Sequence, residues 1–220
     1  MWRSALTSPA WLGNILIVLG EPKRDRKTER RTATRREIID AAWQVARDKG
    51  LGQVTLRDVA ELVGMRAPSL YTHFASKNAV YDAMFGDAWM QFSEHRKAVE
   101  ADEPRTTRAA MRFYARVFFD FAVEFPARHQ LMNLRTLPDF TPSPEAYASS
   151  MAVMEDFAAR MARHGVQRQE DVDLFVAMVG GMVDAQLAND PGGDRWSALL
   201  DRAVNMFADD VGITNERKRP

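Results

Sequence analysis

A chain of 220 residues can bury a substantial core, either as one domain or as a small domain joined to a larger one, and the second division is expected here. The formal charge is zero, from 30 Lys/Arg and 30 Asp/Glu, but it is split: residues 23–81 carry thirteen basic against seven acidic side chains, residues 82–220 sixteen against twenty-two. The chain has no cysteine, which excludes a disulfide framework and a thiolate site and fits a reducing cytoplasm.

In chain order, the apolar run 11–19 is too short to span a bilayer and lacks a signal-like cleavage pattern after it, so no membrane partner is expected. Residues 1–33 are expected to be a disordered extension ending in a basic arm. The Lys/Arg-rich stretch 23–36, without apolar periodicity, suits either a flexible DNA-reaching arm or a solubilising tail. Thr34-x-x-Glu37 resembles a capping box, and Ile38, Ala41, Ala42, Val45 and Ala46 give a helix with one apolar face that ends by Gly50.

The stretch 55–74 is the most informative. Thr55 caps a helix on which Leu56, Val59, Ala60 and Val63 share one face; Gly64 ends it, and Pro68 suits the first turn of a second helix anchored by Leu70 and Phe74. The other face of that second helix carries Arg66, Ala67, Ser69, Tyr71, Thr72 and His73, small or hydrogen-bonding residues suited to a DNA major groove. Ser76 caps a third helix, with Lys77 beside it as a phosphate site. The same spacing also occurs in all-α proteins that never meet DNA.

From Ser76 the helical pattern continues to about residue 100 as a rod out of the head. Residues 105–124 form a helix apolar over most of its circumference, with Arg108, Arg112, Arg116, Asp120 and Glu124 as a wet stripe. A short helix over 127–136 follows. Then comes an amphipathic helix from Ser143 or Ser149 to His164, with Tyr147, Met151, Met154, Phe157, Ala158 and Met161 inward. The helix 168–188 has two apolar stripes, one of them Leu174, Met178, Gly181 and Ala185, and so expects two apolar neighbours. Trp196, Leu199, Leu200, Ala203, Val204, Phe207 and Val211 mark the last helix. A second copy of the chain could supply one neighbour, or these stripes could finish the core of a single chain.

Enzymatic signatures are absent from the sequence. His73, His95, His129 and His164 lack metal-ligand spacing, and there is no phosphate loop or nucleophile elbow, so neither catalysis, metal nor cofactor is expected.

The pattern Thr55-x-Arg57-Asp58-Val59-Ala60, then Gly64, then Ser69-Leu70-Tyr71-x-His73-Phe74-x-x-Lys77 resembles the DNA-binding domain of the TetR/AcrR transcriptional regulators. The resemblance implies that Thr55, Arg57, Ala67, Pro68, Ser69, Tyr71, Thr72, His73 and Lys77 touch DNA, with Ala67 and Thr72 setting the target. It implies an all-α fold with a three-helix helix-turn-helix head at 34–81. The larger helical body, 82–220, would bind ligand and dimerise through its last two long helices. The expected partners are a double-stranded operator, a second copy and a small lipophilic effector that releases a repressor. Phe92, Met111, Tyr114, Phe118, Met151, Met154, Phe175 and Met178 are the expected cavity wall. The alternative is a helical ligand carrier or enzyme with an idle head.

Overall fold

The computed structural model describes residues 25–213, and the extension expected at 1–20 lies outside them. Among the described residues the regular structure is helical throughout. The helices are α1 (Arg26–Lys49), α2 (Leu56–Leu62), α3 (Ala67–Leu70), α4 (Lys77–Ala98), α5 (Thr107–Glu124), α6 (Pro126–Asn133), α7 (Pro144–Arg163), α8 (Gln169–Asn189) and α9 (Leu200–Asp210).

The head forms as its caps and apolar spacing require. Thr55 Oγ1 accepts from Asp58 N at 3.1 Å and donates to the Asp58 carboxylate at 2.8 Å. Gly64 leaves α2 at φ +65°, a conformation that costs an L side chain energy. Leu70 and Phe74, the two expected anchors, are buried with Ile38, Val59 and Val80. Ser76 Oγ accepts from Ala79 N at 3.1 Å and opens α4.

Two expectations fail at the N-terminal side. The stretch expected as a flexible arm is helical from Arg26, and Thr34 lies inside α1 rather than at its cap. The actual cap is Asp25, whose Oδ1 accepts from Lys27 N at 3.1 Å and Thr28 N at 3.3 Å. Between Asp25 and Gly50 no Gly or Pro interrupts a run of good helix formers. Apolar periodicity cannot detect this turn because it is solvated on every side.

The expected boundary at 81/82 falls inside α4, and head and body share a core across it. Trp43 of α1 meets Phe125 edge-on at 5.4 Å between ring centroids, and Phe121, Leu131 and Met132 join the cluster built on Ile38 and Phe74. Buried Asp87 of α4 binds this junction. It accepts from Arg36, from Trp43 Nε1 at 2.8 Å and from Gln91 Nε2 at 2.6 Å. Gln91 Oε1 in turn accepts from Arg128 of α6 at 3.1 Å, and Arg128 also donates to Phe121 O at 2.7 Å.

A second core joins α5, α7, α8 and α9 through Met111, Phe119, Met161, Val183, Leu200 and Phe207. Of the wet stripe expected on α5, Asp120 and Glu124 are exposed, but the three arginines form a polar seam instead. Arg108 donates to Ile213 O at the end of α9, Arg112 to Asn205 Oδ1 at 2.8 Å, and Arg116 to Ser197 O at 3.0 Å. Long guanidiniums can lie along a helix while capping its carbonyls, so a period of four that reads as solvent can equally face a neighbour. Gln186, buried at 2% exposure, builds the turn between α8 and α9: its Oε1 accepts from Trp196 N at 2.9 Å and Ser197 N at 3.2 Å.

On α7, Ser143 is the cap, and Met154, Phe157, Ala158 and Met161 face inward as expected, but the first turns differ: Tyr147 and Met151 are exposed, and Ala146 and Ser150 are buried in their place. The expected second stripe of α8 is covered only in part. Met178 packs against the second core and Ala185 is half-buried, whereas Leu174 is half-exposed, Gly181 is exposed, and no neighbouring element lies within 4 Å of where a Cβ would stand at Gly180 or Gly181.

Candidate nucleic-acid interface and ligand cavity

The segment after Gly64 is tighter than a regular helix. Only residues 67–70 are α-helical, with Pro68 in the first turn, and residues 71–73 continue as turns. Thr72 explains this: both its N–H, at 3.2 Å, and its hydroxyl, at 2.7 Å, bond to Ser69 O, so that carbonyl is taken up by an i→i+3 turn.

The expected DNA-touching residues are brought together by α2, this turn and the start of α4. Thr55, Arg57, Arg66, Pro68, Tyr71 and Thr72 are exposed, Tyr71 at 57%. Ala67, Ser69, His73 and Lys77 are partly buried, with Lys77 Nζ 5.2 Å from the centroid of the Tyr81 ring. His73 is not simply outward. Its Nδ1 is enclosed without a partner, and its carbonyl accepts from Arg35 of α1, whose guanidinium stacks 4.0 Å over Phe74. Lys49 pairs with Asp58 at 2.9 Å, and that hydrogen bond, then the one from Thr55, holds the Asp58 carboxyl below its usual range.

Arg35 was missed as a residue of this site. It ties the helical N-terminal segment, with exposed Arg26, Lys27, Arg30 and Arg31, to the end of the turn after α3. Its place four residues after Arg31 and eight after Lys27 was the available signal.

A cavity of about 110 Å³ lies in the body between α4, α5, α7 and α8. Phe92, Tyr114, Phe118, Met154 and Phe175 line it as expected. Met111 does not. It is fully buried in the second core, one turn from Tyr114 on the side facing α8 and α9. Met151 is 48% exposed on the outer face of α7, where Val153, Met154 and Phe157 take the wall. Met178 packs against the second core, and Val176 and Val179 line the cavity on either side of it in sequence.

Trp89 and Arg96, three before and four after Phe92 on the same face of α4, were missed, as were Phe113, Phe157 and Arg160. The polar end of the cavity is an interlocked cluster. Tyr114 Oη donates to Glu103 at 2.6 Å, and Arg160 donates to Glu103 at 3.0 Å, Glu100 at 2.5 Å and Asp156 at 2.8 Å. These carboxylates outweigh burial and keep Arg160 firmly protonated, while burial raises the Tyr114 hydroxyl above its ordinary value. His164 Nε2 lies 3.2 Å from Tyr114 Oη; burial, then Arg163, pushes its pKa down.

Among the described residues no group of three or more His, Asp or Glu is placed to hold a metal, and no helix is long and apolar enough to cross a membrane.

Residues 38–84, which span α1 from its first buried position through α2, α3 and the start of α4, match the model of the bacterial regulatory proteins of the tetR family. A transcriptional regulator of Mycobacterium tuberculosis named for mycofactocin biosynthesis is 28% identical over 212 residues, 89% of this chain and 98% of that one. The HTH-type transcriptional regulator TtgR of Pseudomonas putida is 29% identical over 87 residues, 40% of this chain and 41% of that one. The fold is similar to that of the transcriptional regulator FadR of Bacillus subtilis solved with stearoyl-CoA, with a TM-score of 0.56 over 83% of this chain and 99% of that one at 15% identity. With the helix-turn-helix geometry above, these matches identify residues 38–84 as a head of the type found in the tetR family of bacterial regulatory proteins.

Proposed function

We infer that the chain is a ligand-responsive, DNA-binding transcriptional regulator that acts as a repressor, gripping an operator when its cavity is empty and releasing it when a lipophilic effector enters. One observation carries this reading: α4 begins at Ser76 and Lys77, beside the exposed Tyr71 and Thr72, and its far half lines the cavity with Trp89, Phe92 and Arg96. A shape change in the cavity therefore acts on the same rigid element that seats the head. Residues 34–81 serve as the DNA-binding head and 82–220 as the ligand-binding and dimerising body. No catalytic step is part of this reading, and its place of work is where the chromosome is, the cytoplasm.

Two copies pair through α8 and α9 in the proposal. Leu174, Leu199 and Met206 are 50%, 42% and 63% exposed, and uncovered Gly181 leaves room for close helix packing. A two-fold dimer presents two heads to a palindromic site about one helical turn between half-sites. The basic turns of α1 ahead of Arg35 then lie against flanking phosphates.

The test is a gel shift on DNA upstream of the gene that encodes the chain, over a range of salt. Lys77→Ala is expected to weaken every sequence alike and flatten the salt dependence by about one unit of slope, whereas Thr72→Ala changes which sequence is preferred. Unchanged binding by both variants would remove the site assignment.

A further inference from the structure

The cavity wall contains two buried hydrogen-bond donors that the protein leaves unused. Five buried side-chain polar atoms among the described residues lack a hydrogen-bond partner, and two of the five, Trp89 Nε1 and Arg96 Nη1, belong to this one wall. Arg96 Nη1 has only Glu100 near it, at 3.8 Å and outside hydrogen-bond reach, while Nη2 stands 3.3 Å from Asp156. Trp89 and Arg96 are seven residues apart on α4, two turns, so they share a face and stand roughly 10 Å apart along the axis. Phe92 lies between them, with its ring edge-on to Trp89 and to Phe118.

Of the other polar side chains in the wall, Asn133 is engaged through its Nδ2 with His129 at 3.2 Å, and two more are committed within the protein. Tyr114 Oη is committed to Glu103, and Arg160 to three carboxylates. The formal charge at that end is balanced, with Glu100, Glu103 and Asp156 set against Arg96, Arg160 and Arg163, the last close enough to act on Tyr114 and His164. Buried donors without acceptors are costly, and a ligand that brings lone pairs to them recovers that cost while a ligand without them does not. An ammonium brings more donors to donors. A carboxylate brings a net charge into an apolar cavity whose ion pairs already cancel, at the cost of its own desolvation.

We propose that the effector is an uncharged, largely apolar molecule whose carbonyl oxygens, as in a ketone, ester, lactone or amide, accept from Trp89 Nε1 and Arg96 Nη1 while its body lies against Phe92. This rests on the reading of the cavity as the effector site, and it gives that site a chemical class. Both donors sit on α4, so the acceptor groups engage the very helix that seats the head.

The experiment uses the full chain and four probes that share one linear alkyl body: dimethyl suberate, whose two carbonyls stand about 10 Å apart when extended, suberate, 1,8-diaminooctane and octane, each titrated calorimetrically. The diester is expected to bind at least about tenfold more tightly than the other three. Trp89→Phe, which keeps the ring and removes the N–H, and Arg96→Met are each expected to erase most of that margin while leaving octane unchanged. Should Arg96→Met fail to fold, Trp89→Phe carries the test alone. The proposal is overturned if the amine, the acid or the hydrocarbon matches the ester, if Trp89→Phe preserves the ester's advantage, or if none of the four binds. A parallel gel shift separates the two readings: an ester that binds as stated without loosening DNA leaves the donor pairing standing and removes the regulatory role. A failed pairing beside intact operator binding does the reverse.

Discussion

Asp87 shows how much one side chain decides here. It is 5% exposed and accepts from Arg36, Trp43 and Gln91, so three donors from two helices depend on it. Asp87→Ala leaves the half-exposed Arg36 guanidinium and the buried Trp43 indole N–H without their acceptor and should cost about 2 kcal/mol, read as a lowered midpoint in urea. His164 makes a pH prediction. Its folded pKa lies below its ordinary 6.5 because burial and Arg163 oppose the charge. The unfolded chain thus binds the proton first, and the stability this group contributes is full above about pH 6.5 and is lost as pH falls through the folded value. His164→Gln should therefore show a shallower loss of melting temperature than the parent between about pH 6.5 and pH 5. Neither residue was legible as structural in the sequence. A lone Asp or His on a helix reads as solvated until its neighbours in space are known, and Asp87 finds two of its three donors more than forty residues away.

At the scale of elements, the head was legible because its signals are local. Thr55, Gly64 and Ser76 are caps and stops whose meaning depends on the residues beside them, and each performs the role its position implies. Gly64→Ala tests this cleanly: nothing lies within 4 Å of the added Cβ, so the whole penalty is backbone strain at φ +65°. A loss of about 1 kcal/mol is expected, measured by thermal melting. What failed were periodicity arguments on polar surfaces. The arginines of α5 repeat every four residues and were read as facing water, yet Arg108 closes the end of α9 through Ile213 O. The start of α1 lacks an apolar face and was read as coil, yet Asp25 caps it. For the cavity, ring residues and Met154 were found and the other thioethers misplaced: Met111, Met151 and Met178 sit one or two residues from wall positions, a phase error that sequence spacing cannot resolve without the partner helices.

For the whole molecule, the uncovered face of α8 and α9 makes a quantitative demand. If two copies pair there, Leu174→Arg together with Met206→Glu should yield a monomer by sedimentation and weaken operator binding at least about tenfold, because the two heads no longer bind as one linked pair. A dimer that survives both changes would move the interface elsewhere. The length of α4 has its own consequence. Twenty-two residues make a lever of about 33 Å, pivoting among the rings of the cavity and tipped by Ser76 and Lys77. Because Asp87 clamps α1 to that lever, the head must swing with it as a block rather than bend away. A tilt of only about 5° at Phe92, roughly 22 Å along the axis from Lys77, carries the tip by about 2 Å. Two tips swinging apart would miss the spacing of their half-sites by about one base pair, and a molecule no larger than a small ester would have pried the protein off a groove it never touches.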